Sequence, residues 1–433
     1  MRHQAFILGA GVAGLASGLA SGLPVYEAEE EPGGICSSYY MRPQDGQRVH
    51  GARDDAYRFE IGGGHWIFGS DPIVLRFIQS LAPVRAHARR SSVYLRSQDL
   101  YVPYPLQNHL GFLGRETAAK ALEEIVSAPK GPPSTMADWL QQSFGRTLTE
   151  LFFGPFHESY TAGLWTRIIP QDDYKSPVSI PLVVQGALNR TPSVGYNTSF
   201  VYPREGLDIL VRKLAERCEV HYRKKVIGLD LGRKQVHFAD GSGLHYERLV
   251  STLPLNRIVE MTGLKIDSDP DPYTSVLVLN IGGERGSKCP DDHWLYIPVS
   301  KSGFHRVGFY SNVDESFLPA SPTASQTRVS IYLERAYPGG AKPDDSDVRT
   351  YTQAAVQELQ EWGFIKSTEI VDPTWIDVAY TWASPGSSWK QRTLKALEEH
   401  DIYQVGRYGR WKFQGVAESI RDGFTAGTCL RAI

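Results

Sequence analysis

Cysteine, net charge and repeats are all scarce in this 433-residue sequence. Its four cysteines lie far apart without a C-x-x-C pair, so the sequence indicates neither a zinc site nor a disulfide framework. The 46 basic and 48 acidic residues leave a net charge of −2, which gives no overall attraction for nucleic acid or for an anionic membrane. We therefore expect a cytoplasmic protein without a metal site that binds neither nucleic acid nor a membrane.

Long uncharged runs are also rare, and the one that stands out covers residues 5–23. A run of this length can be a signal peptide or a membrane anchor. It contains five glycines, however, and a basic segment in front of it is nearly absent. Because three of these glycines have the spacing of a nucleotide-binding turn, we interpret the run as the start of a Rossmann-type domain rather than as a targeting segment.

What is present is the composition of a globular protein, with 41% hydrophobic and 22% charged residues. At about 150 residues per domain, the length predicts two or three domains. Residues 4–8 have the pattern of a buried strand, residues 12–21 that of a small-residue helix, and residues 24–27 that of a second strand. Together these segments predict a βαβ unit.

A GxGxxG motif, GAGVAG, lies between the first strand and the helix. Gly9 and Gly11 allow a tight turn and the close approach of a pyrophosphate, and Gly14, after Ala13, lets the helix pack closely on the strand. The start of the helix directs its free N–H groups and its dipole at the phosphates. Glu27 ends the second strand, where a carboxylate can accept hydrogen bonds from ribose hydroxyls. These features predict a dinucleotide site.

FAD rather than NAD is indicated by the segments that follow. Gly33 and Gly34 resemble the second glycine pair of glutathione-reductase-type flavoproteins. Val226 lies in a segment that resembles their adenine-side strand, and residues 249–252 resemble a later crossover strand. A second GxGxxG motif is absent, so we expect no separate nicotinamide domain. No flavin-linking cysteine or histidine motif stands out, so the FAD should be bound noncovalently.

Beyond the first βαβ unit, the sequence predicts a helical insert and then a strand-rich region. Residues 93–102 alternate around a turn as in a β-hairpin, and residues 116–127 and 136–153 have helical spacing. Strands are expected within residues 276–380, interrupted by a helix near residues 348–362.

We therefore expect an α/β fold that combines a Rossmann-type FAD-binding domain with a helical insert and a mostly antiparallel substrate-binding sheet. The predicted divisions are 1–75 (FAD-binding domain, first part), 76–175 (hairpin and helical insert), 176–203 (strands of the substrate domain), 204–262 (FAD-binding domain, second part), 263–394 (antiparallel substrate-binding domain) and 395–433 (FAD-binding domain, C-terminal part).

Several short motifs, spread over nearly the whole chain, resemble the UDP-galactopyranose mutase family, particularly its eukaryotic branch, within the wider amine oxidase and protoporphyrinogen oxidase-like group of FAD proteins. These motifs are GGHWIF (63–68), VPYPLQN (102–108), NTSFVYP (197–203), LVST (249–252), WLY (294–296), HR (305–306), SN (311–312) and GRYGRW (406–411). VPYPxQN and the GGH loop are fairly specific to mutases, whereas GxGxxG and GR[FY]G are shared with many flavoproteins.

The resemblance implies a flavin-dependent pyranose/furanose mutase acting on a nucleotide sugar. In that family, N5 of reduced FAD attacks the anomeric carbon and the nucleoside diphosphate leaves and later returns, with no net redox change. The protein must therefore position the sugar, stabilise the leaving diphosphate and protect the reduced flavin. An external reductant such as NAD(P)H is implied as a partner, while the sugar, the nucleotide and the oligomeric state stay open.

Residue roles follow from the same resemblance. Gly63, Gly64 and His65 would form a flexible loop over the flavin, and Arg407 would face the flavin or its phosphates. Arg306 would bind the diphosphate, because its planar fork matches phosphate oxygens. We predict catalytic roles for His65 and Arg306. The residues predicted to contact the substrate are Phe68, Tyr104, Gln107, Lys175, Asn197, Tyr296, Arg306, Trp382 and Phe413.

The sequence departs from the mutase pattern at several of these positions. The second diphosphate arginine of the family falls at Lys175, and its diphosphate-binding tyrosines fall at Trp382 and Phe413. A further active-site tyrosine falls at Val313, and residues 91–93 replace an arginine and a serine that bind NADPH. Fewer hydroxyl donors favour a less polar substrate than UDP-galactose.

Two alternatives follow from these departures. The first is an FAD oxidase or dehydrogenase of the amine oxidase-like group, which the loss of diphosphate ligands favours. The second is a flavin-bound protein without catalysis that supports a biosynthetic complex. Arg306 and the GGH loop argue against the second alternative.

Overall fold

The computed structural model describes residues 5–49, 51, 53–69, 71–128, 131–171, 178–189, 197–321 and 323–432. Its strands are β1 Ala5–Leu8, β2 Val25–Tyr26, β3 Ser38–Met41, β4 Arg48–Val49, β5 Tyr57–Glu60, β6 Val84–Ala88, β7 Ser91–Leu95, β8 Leu100–Pro103, β9 Ser199–Pro203, β10 Val220–His221, β11 Val226–Asp230, β12 Gln235–Phe238, β13 Gly243–His245, β14 Arg248–Ser251, β15 Tyr273–Arg285, β16 Trp294–Tyr296, β17 Arg306–Phe309, β18 Arg328–Pro338, β19 Ile365–Thr381 and β20 Ile402–Gln404. Its helices are α1 Val12–Ser21, α2 Pro72–Leu81, α3 Arg115–Ser127, α4 Met136–Leu148, α5 Gly154–Tyr160, α6 Ile180–Leu188, α7 Leu207–Ala215, α8 Leu255–Thr262, α9 Ala324–Thr327, α10 Asp345–Glu361, α11 Trp389–Glu398, α12 Gly406–Gly409 and α13 Val416–Ala432.

A parallel five-stranded sheet, in the order β10-β2-β1-β14-β20, contains the predicted βαβ unit. Its strands come from three separate parts of the chain, and each adjacent pair is parallel. The connection from β1 through α1 to β2 places the GxGxxG turn at the carboxyl edge of this sheet, where α/β proteins of this type bind ligands. The Rossmann-type part of the predicted fold is confirmed.

Two glycines let the last helix, α13, pack closely on α1. A Cβ atom at Gly423 would lie 2.2 Å from the carbonyl oxygen of Ala13, and one at Gly427 would lie 2.4 Å from the carbonyl oxygen of Ser17. The Ser17 hydroxyl also donates a hydrogen bond of 3.1 Å to the carbonyl of Gly423. The end of the chain thereby holds the helix that begins at the GxGxxG turn.

The predicted substrate-binding sheet has seven strands in the order β19-β15-β18-β17-β16-β7-β8. All its neighbouring strands are antiparallel except β16 and β7. The hairpin β7–β8, which the sequence analysis grouped with the following helices, instead extends this sheet beside β16. The division of the chain into domains at the boundaries given above remains a prediction.

The single helix that the sequence predicts over residues 136–153 is interrupted in the structure. Gly145 has a φ of +71°, and a Cβ atom there would lie 2.4 Å from that of Glu124. The Glu124 carboxylate accepts hydrogen bonds of 2.6 and 2.9 Å from the backbone N–H and the hydroxyl of Thr147. The close approach of α3 therefore requires glycine and bends the chain, which continues as a π-helical turn at Thr149–Phe153.

Residues 176–203 differ from the expected strands. Their described part forms the helix α6 and the strand β9, and β9 pairs with β6 in a separate two-stranded sheet. The run IPLVVQGAL is short and apolar without alternation, a pattern that does not separate a strand from a partly buried helix.

The described ranges contain neither a helix suited to cross a membrane nor a cluster of metal ligands. None of the helices there has both the length and the apolar character needed to cross a membrane. The same residues contain no group of three or more His, Cys, Asp or Glu side chains placed to hold a metal ion.

We predict that Gly423→Ala destabilises the protein because its methyl group would meet the α1 backbone. Overpacking of this kind should lower the free energy of unfolding by about 1–3 kcal/mol and exceed any gain in helix propensity. Urea unfolding of the two proteins measures the difference. The control is Gly131→Ala, at an exposed glycine whose added Cβ would have no neighbour within 4 Å. Equal stability of the two variants would contradict the proposed close packing.

Candidate functional site

A single cavity of about 650 Å³ runs from the GxGxxG turn to the seven-stranded sheet. The helical insert, the parallel sheet and the antiparallel sheet all contribute to its wall. Its volume lies in the usual range for small-molecule and cofactor sites. We call the end lined by the insert and the antiparallel sheet the substrate chamber.

The GxGxxG turn leaves room for a phosphate at one glycine and is crowded at the other two. Gly9 has a φ of +94°, and a Cβ there would lie 2.2 Å from the Thr252 hydroxyl oxygen. A Cβ at Gly14 would lie 1.9 Å from the carbonyl oxygen of Gly9. An added Cβ at Gly11, which lines the cavity, would have no neighbour within 4 Å. This open space fits a pyrophosphate against the start of α1.

Glu27 lines the cavity next to this turn. Its carboxylate accepts hydrogen bonds of 2.6 Å from the N–H of Ala10 and 3.0 Å from that of Glu29. Burial raises the pKa of Glu27 from its ordinary value, and the two backbone N–H groups oppose that shift. Gly33, whose N–H donates to the Ala10 carbonyl at 2.8 Å, joins the second glycine pair to the same turn. The arrangement fits the ribose and phosphates of a dinucleotide.

The segment before His65 requires glycine because the antiparallel sheet packs directly against it. A Cβ at Gly64 would lie 2.1 Å from the hydroxyl oxygen of Tyr332. His65 is half-buried, and its Nδ1 lies 3.2 Å from the carbonyl oxygen of Gly63. Burial, together with the nearby positive charge of Arg407, lowers the pKa of His65 to about 4. The imidazole is therefore neutral near pH 7.

Three cavity residues form a row across three strands of the antiparallel sheet. Arg306 on β17 is paired with Tyr296 on β16 and with Glu334 on β18. The Arg306 guanidinium donates hydrogen bonds of 3.1 and 3.2 Å to the two Glu334 oxygens and lies 5.5 Å from the Tyr296 ring centroid. The residue predicted to bind the diphosphate thus already has a carboxylate partner.

The ion pair shifts the pKa values of both partners. Burial alone would raise the pKa of Glu334, but the Arg306 charge lowers it to about 2. Burial alone would lower the pKa of Arg306, and the carboxylate raises it well above its ordinary value. Both groups stay charged at neutral pH. A charged residue two positions after Tyr332, within an apolar strand, is the sequence signal that could have identified Glu334.

Aromatic rings make up much of the substrate chamber. Tyr104 and Tyr296 have ring centroids 4.3 Å apart, and Phe156 meets Tyr296 at 5.5 Å. Tyr160 meets Tyr380 at 4.8 Å, and the Tyr380 hydroxyl lies 3.5 Å from Glu334. The insert residues of this wall were missed by the sequence analysis, because their helical spacing is equally typical of an ordinary core.

Arg407 lies at the cavity wall within α12. Its guanidinium donates hydrogen bonds of 2.9 Å to the Ala379 carbonyl and 3.3 Å to the Gln414 carbonyl. It also lies 4.5 Å from the Phe413 ring centroid and 5.3 Å from that of Tyr380. Because both acceptors are neutral carbonyls, these hydrogen bonds orient the guanidinium without neutralising its positive charge.

Most of the predicted site residues meet at this one cavity. Its wall contains Gly9, Gly11, Ala13, Glu27, Gly33, Gly34, Gly64, His65, Phe68, Tyr104, Asn197, Val226, Tyr296, Arg306, Arg407 and Phe413. Gly14 and Gly63 adjoin wall residues without lining the cavity.

Three other positions that the structure describes do not line the cavity. Gln107 and Trp382 are buried but are not among the described residues that line the cavity. The Trp382 Nε1–H donates a hydrogen bond of 3.3 Å to the hydroxyl of Thr274. Val313 is buried in the core, and Lys175 lies outside the described residues.

Comparisons with known proteins agree on the fold. Residues 23–418 match the family described as flavin containing amine oxidoreductase. The chain is similar to the crystal structure of reduced UDP-galactopyranose mutase, with a TM-score of 0.82, 21% sequence identity and coverage of 98% of this chain and 94% of that chain.

Two oxidases are also similar in fold. A putative protoporphyrinogen oxidase from Exiguobacterium sp. 255-15 matches with a TM-score of 0.70, 14% identity and coverage of 100% of this chain and 99% of that chain. Putrescine oxidase matches with a TM-score of 0.59, 14% identity and full coverage of both chains.

We predict that Gly11→Ala weakens FAD binding without unfolding the protein. Gly11 has a φ of −69° and a ψ of 173°, which alanine adopts without strain, and its methyl group would enter only the space assigned to the pyrophosphate. FAD affinity should fall by about tenfold or more, whereas the stability of the apoprotein should change by less than about 1 kcal/mol. Gly9→Ala, at positive φ, should instead destabilise the apoprotein. Unchanged FAD affinity in Gly11→Ala would contradict this cradle.

We also predict a pH-dependent effect of Glu334→Gln. At pH 7 it should lower the free energy of unfolding by about 3–5 kcal/mol, because Arg306 stays buried beside a neutral amide. The pKa of Glu334 in the folded protein, about 2, lies below the value of about 4.3 typical of an unfolded chain. The stabilisation is therefore fully present above pH ~4.3 and is lost as the pH falls from there through ~2.

Urea unfolding at pH 7, 5 and 3 measures this effect, and the difference between wild type and Glu334→Gln should narrow at pH 3. Glu284→Gln is the control, because Glu284 forms an exposed ion pair of 2.8 Å with Lys366 on the same sheet. A loss of stability in Glu334→Gln that does not vary with pH would show that the carboxylate charge is not responsible.

Proposed function

The chain belongs to the flavin containing amine oxidoreductase family and uses FAD as its cofactor, and on this premise we propose that it is a pyranose/furanose mutase of nucleotide sugars. Bound in its reduced form, FAD would supply a nucleophilic nitrogen to the anomeric carbon of the sugar, with no net redox change. The FAD contacts would come from the glycine turns, Glu27, Val226 and Arg407.

One observation carries the proposal: three arginine side chains, those of Arg89, Arg306 and Arg407, line the cavity. Of the carboxylates that the antiparallel sheet adds to the same wall, Glu334 pairs with Arg306, and Asp377 pairs with Arg257 at 2.6 Å. A low-dielectric cavity with this balance favours an anionic ligand. A nucleoside diphosphate has that charge, and the Tyr104–Tyr296 pair offers aromatic faces for a base or a sugar ring.

The residues of the chamber would act mainly by binding and positioning. Arg306 would meet the diphosphate with the part of its fork that Glu334 does not occupy, since its side chain is 20% exposed. His65, neutral at pH 7, would hold one donor and one acceptor nitrogen near the reacting centre. Phe68 and the tyrosines would exclude water from the reduced flavin.

Similarity in fold supports this proposal over its alternative. The mutase structure matches with a TM-score of 0.82, against 0.70 and 0.59 for the two oxidases. The second candidate is an FAD oxidase or dehydrogenase acting on another small molecule. The neutralisation of Arg306 by Glu334 and the aromatic chamber wall favour that candidate, because both suit a less charged substrate.

We predict that catalysis needs reduced flavin but consumes no stoichiometric reductant, since the flavin would be regenerated in each turnover. Protein reduced with dithionite, or with NAD(P)H as an external reductant, should convert a member of a panel of nucleotide sugars into its ring-size isomer, measured by NMR. Oxidised protein is the matched control and should be inactive. Turnover of the oxidised protein with oxygen consumption and peroxide release would support the oxidase instead.

A further inference from the structure

His305 is a fully buried residue directly before Arg306, where the antiparallel sheet meets the helical insert. Its backbone N–H donates a hydrogen bond of 2.9 Å to the carbonyl of Glu334. Its ring centroid lies 5.9 Å from that of Phe156 and 5.5 Å from that of Tyr160, both on α5. Backbone and ring contacts together hold the imidazole beside the Arg306–Glu334 ion pair.

Glu334 pairs with Arg306 through a single nitrogen of the guanidinium. Both hydrogen bonds of the ion pair, of 3.1 and 3.2 Å, come from Nη1. Arginine and carboxylate groups frequently pair instead through two parallel hydrogen bonds from two nitrogens, which occupies one whole side of the fork. Nε of Arg306 has no hydrogen-bond partner in the part of the chain that the structure describes, and the side chain lines the cavity. The ion pair therefore compensates the charge of Arg306 without using its whole fork.

Two further groups lie near Oε2 of Glu334, one of the two oxygens that Nη1 contacts. The Tyr380 hydroxyl is 3.5 Å from this oxygen, and Nε2 of His305 is 3.6 Å from it. Burial lowers the pKa of His305, so its ring is neutral, and the carboxylate favours the tautomer with the proton on Nε2. An Nε2–H group at 3.6 Å attracts the carboxylate electrostatically, although the distance is too long for an ordinary hydrogen bond. Both groups oppose a rotation that would take Oε2 toward the other nitrogens of Arg306.

We propose that His305 is a positioning residue that holds the Glu334 carboxylate on one nitrogen of Arg306 and thereby reserves the rest of the guanidinium for a phosphate group of the substrate. This inference rests on the proposed function and concerns a residue to which no role is assigned above. It explains how Arg306 would bind an anion although a carboxylate already compensates its charge. Without the imidazole, the carboxylate would be free to pair with two nitrogens of the fork and would compete with the phosphate for them.

The test measures by calorimetry how tightly the FAD-loaded protein binds nucleoside diphosphates and the matching nucleosides. The wild type is titrated with UDP, GDP, CDP, dTDP and ADP, and the tightest pair of diphosphate and nucleoside is used for the variants. In His305→Leu, which removes the donor, the preference for the diphosphate over the nucleoside should fall by about tenfold. In His305→Gln, whose amide N–H can replace Nε2–H, the preference should stay within about threefold of the wild type. His293→Leu, at another buried histidine, is the matched control and should leave the preference unchanged.

A double-mutant cycle with Arg306→Lys separates positioning from a general effect on structure. Lysine keeps the positive charge but has no fork for the imidazole to reserve. In the Arg306→Lys background, His305→Leu should therefore reduce the diphosphate preference by less than about threefold. The same tenfold fall in both backgrounds would show that His305 does not act through the fork of Arg306 and would overturn the inference.

The outcomes separate this inference from the proposed function. A wild type that binds no diphosphate more tightly than its nucleoside overturns both. A wild type that prefers a diphosphate, with His305→Leu behaving like His293→Leu, overturns only the role of His305. If His305→Leu does not retain FAD, His305→Asn replaces it, since its shorter amide stays polar but does not reach the position of Nε2. His305→Asn should lose the preference that His305→Gln keeps, and equal preferences in these two variants would overturn the assignment.

Discussion

The buried ion pair between Arg306 and Glu334 determines both the charge and the shape of the substrate chamber. Its two members face each other on β17 and β18, and Tyr296 continues the same row on β16. Because a slip of one residue would turn each side chain to the opposite face, the pair is compatible with only one register of these strands. An error in register would bury each charge without its partner, which would cost several kcal/mol. The chamber therefore depends on this one pairing of β17 with β18.

The two ends of the cavity offer different means of recognising a ligand. At the parallel sheet, recognition depends on missing side chains: Gly11 leaves the space, while Gly9 and Gly14 allow the backbone to come close. At the antiparallel sheet it depends on side chains, which project from alternate positions of long strands. Backbone recognition suits a cofactor shared by a whole family, whereas side chains can change from member to member and so can the substrate.

The positive charge of the chamber is largely insensitive to pH. His65 stays neutral because it is buried near Arg407, so the cations are arginines, which do not lose their protons in the physiological range. Glu334 stays ionised because Arg306 lies beside it. An anionic substrate would then meet the same charges on these arginines and on Glu334 at any pH near neutrality.

Local patterns determined the Rossmann unit, since its strand, turn and helix are set by residues within one short stretch. The spacing GAGVAG, the carboxylate at Glu27 and the periodicity of α1 needed no distant contact to be interpreted. Alternation also predicted the hairpin β7–β8, which is part of the large sheet. Local patterns did not predict the π-helical turn after Gly145, because it depends on the carboxylate of Glu124 in another helix. They did not predict the helix α6 either, because its short apolar run is equally compatible with a strand.

Only the tertiary structure decided which side chains meet in the chamber. Arg306 and Glu334 are 28 positions apart, and in the tyrosine pair Tyr296 lies on β16 whereas Tyr104 directly follows β8. A sequence specifies residue types and local periodicity, whereas strand register and the approach of distant segments are set by burial and charge compensation across the whole fold.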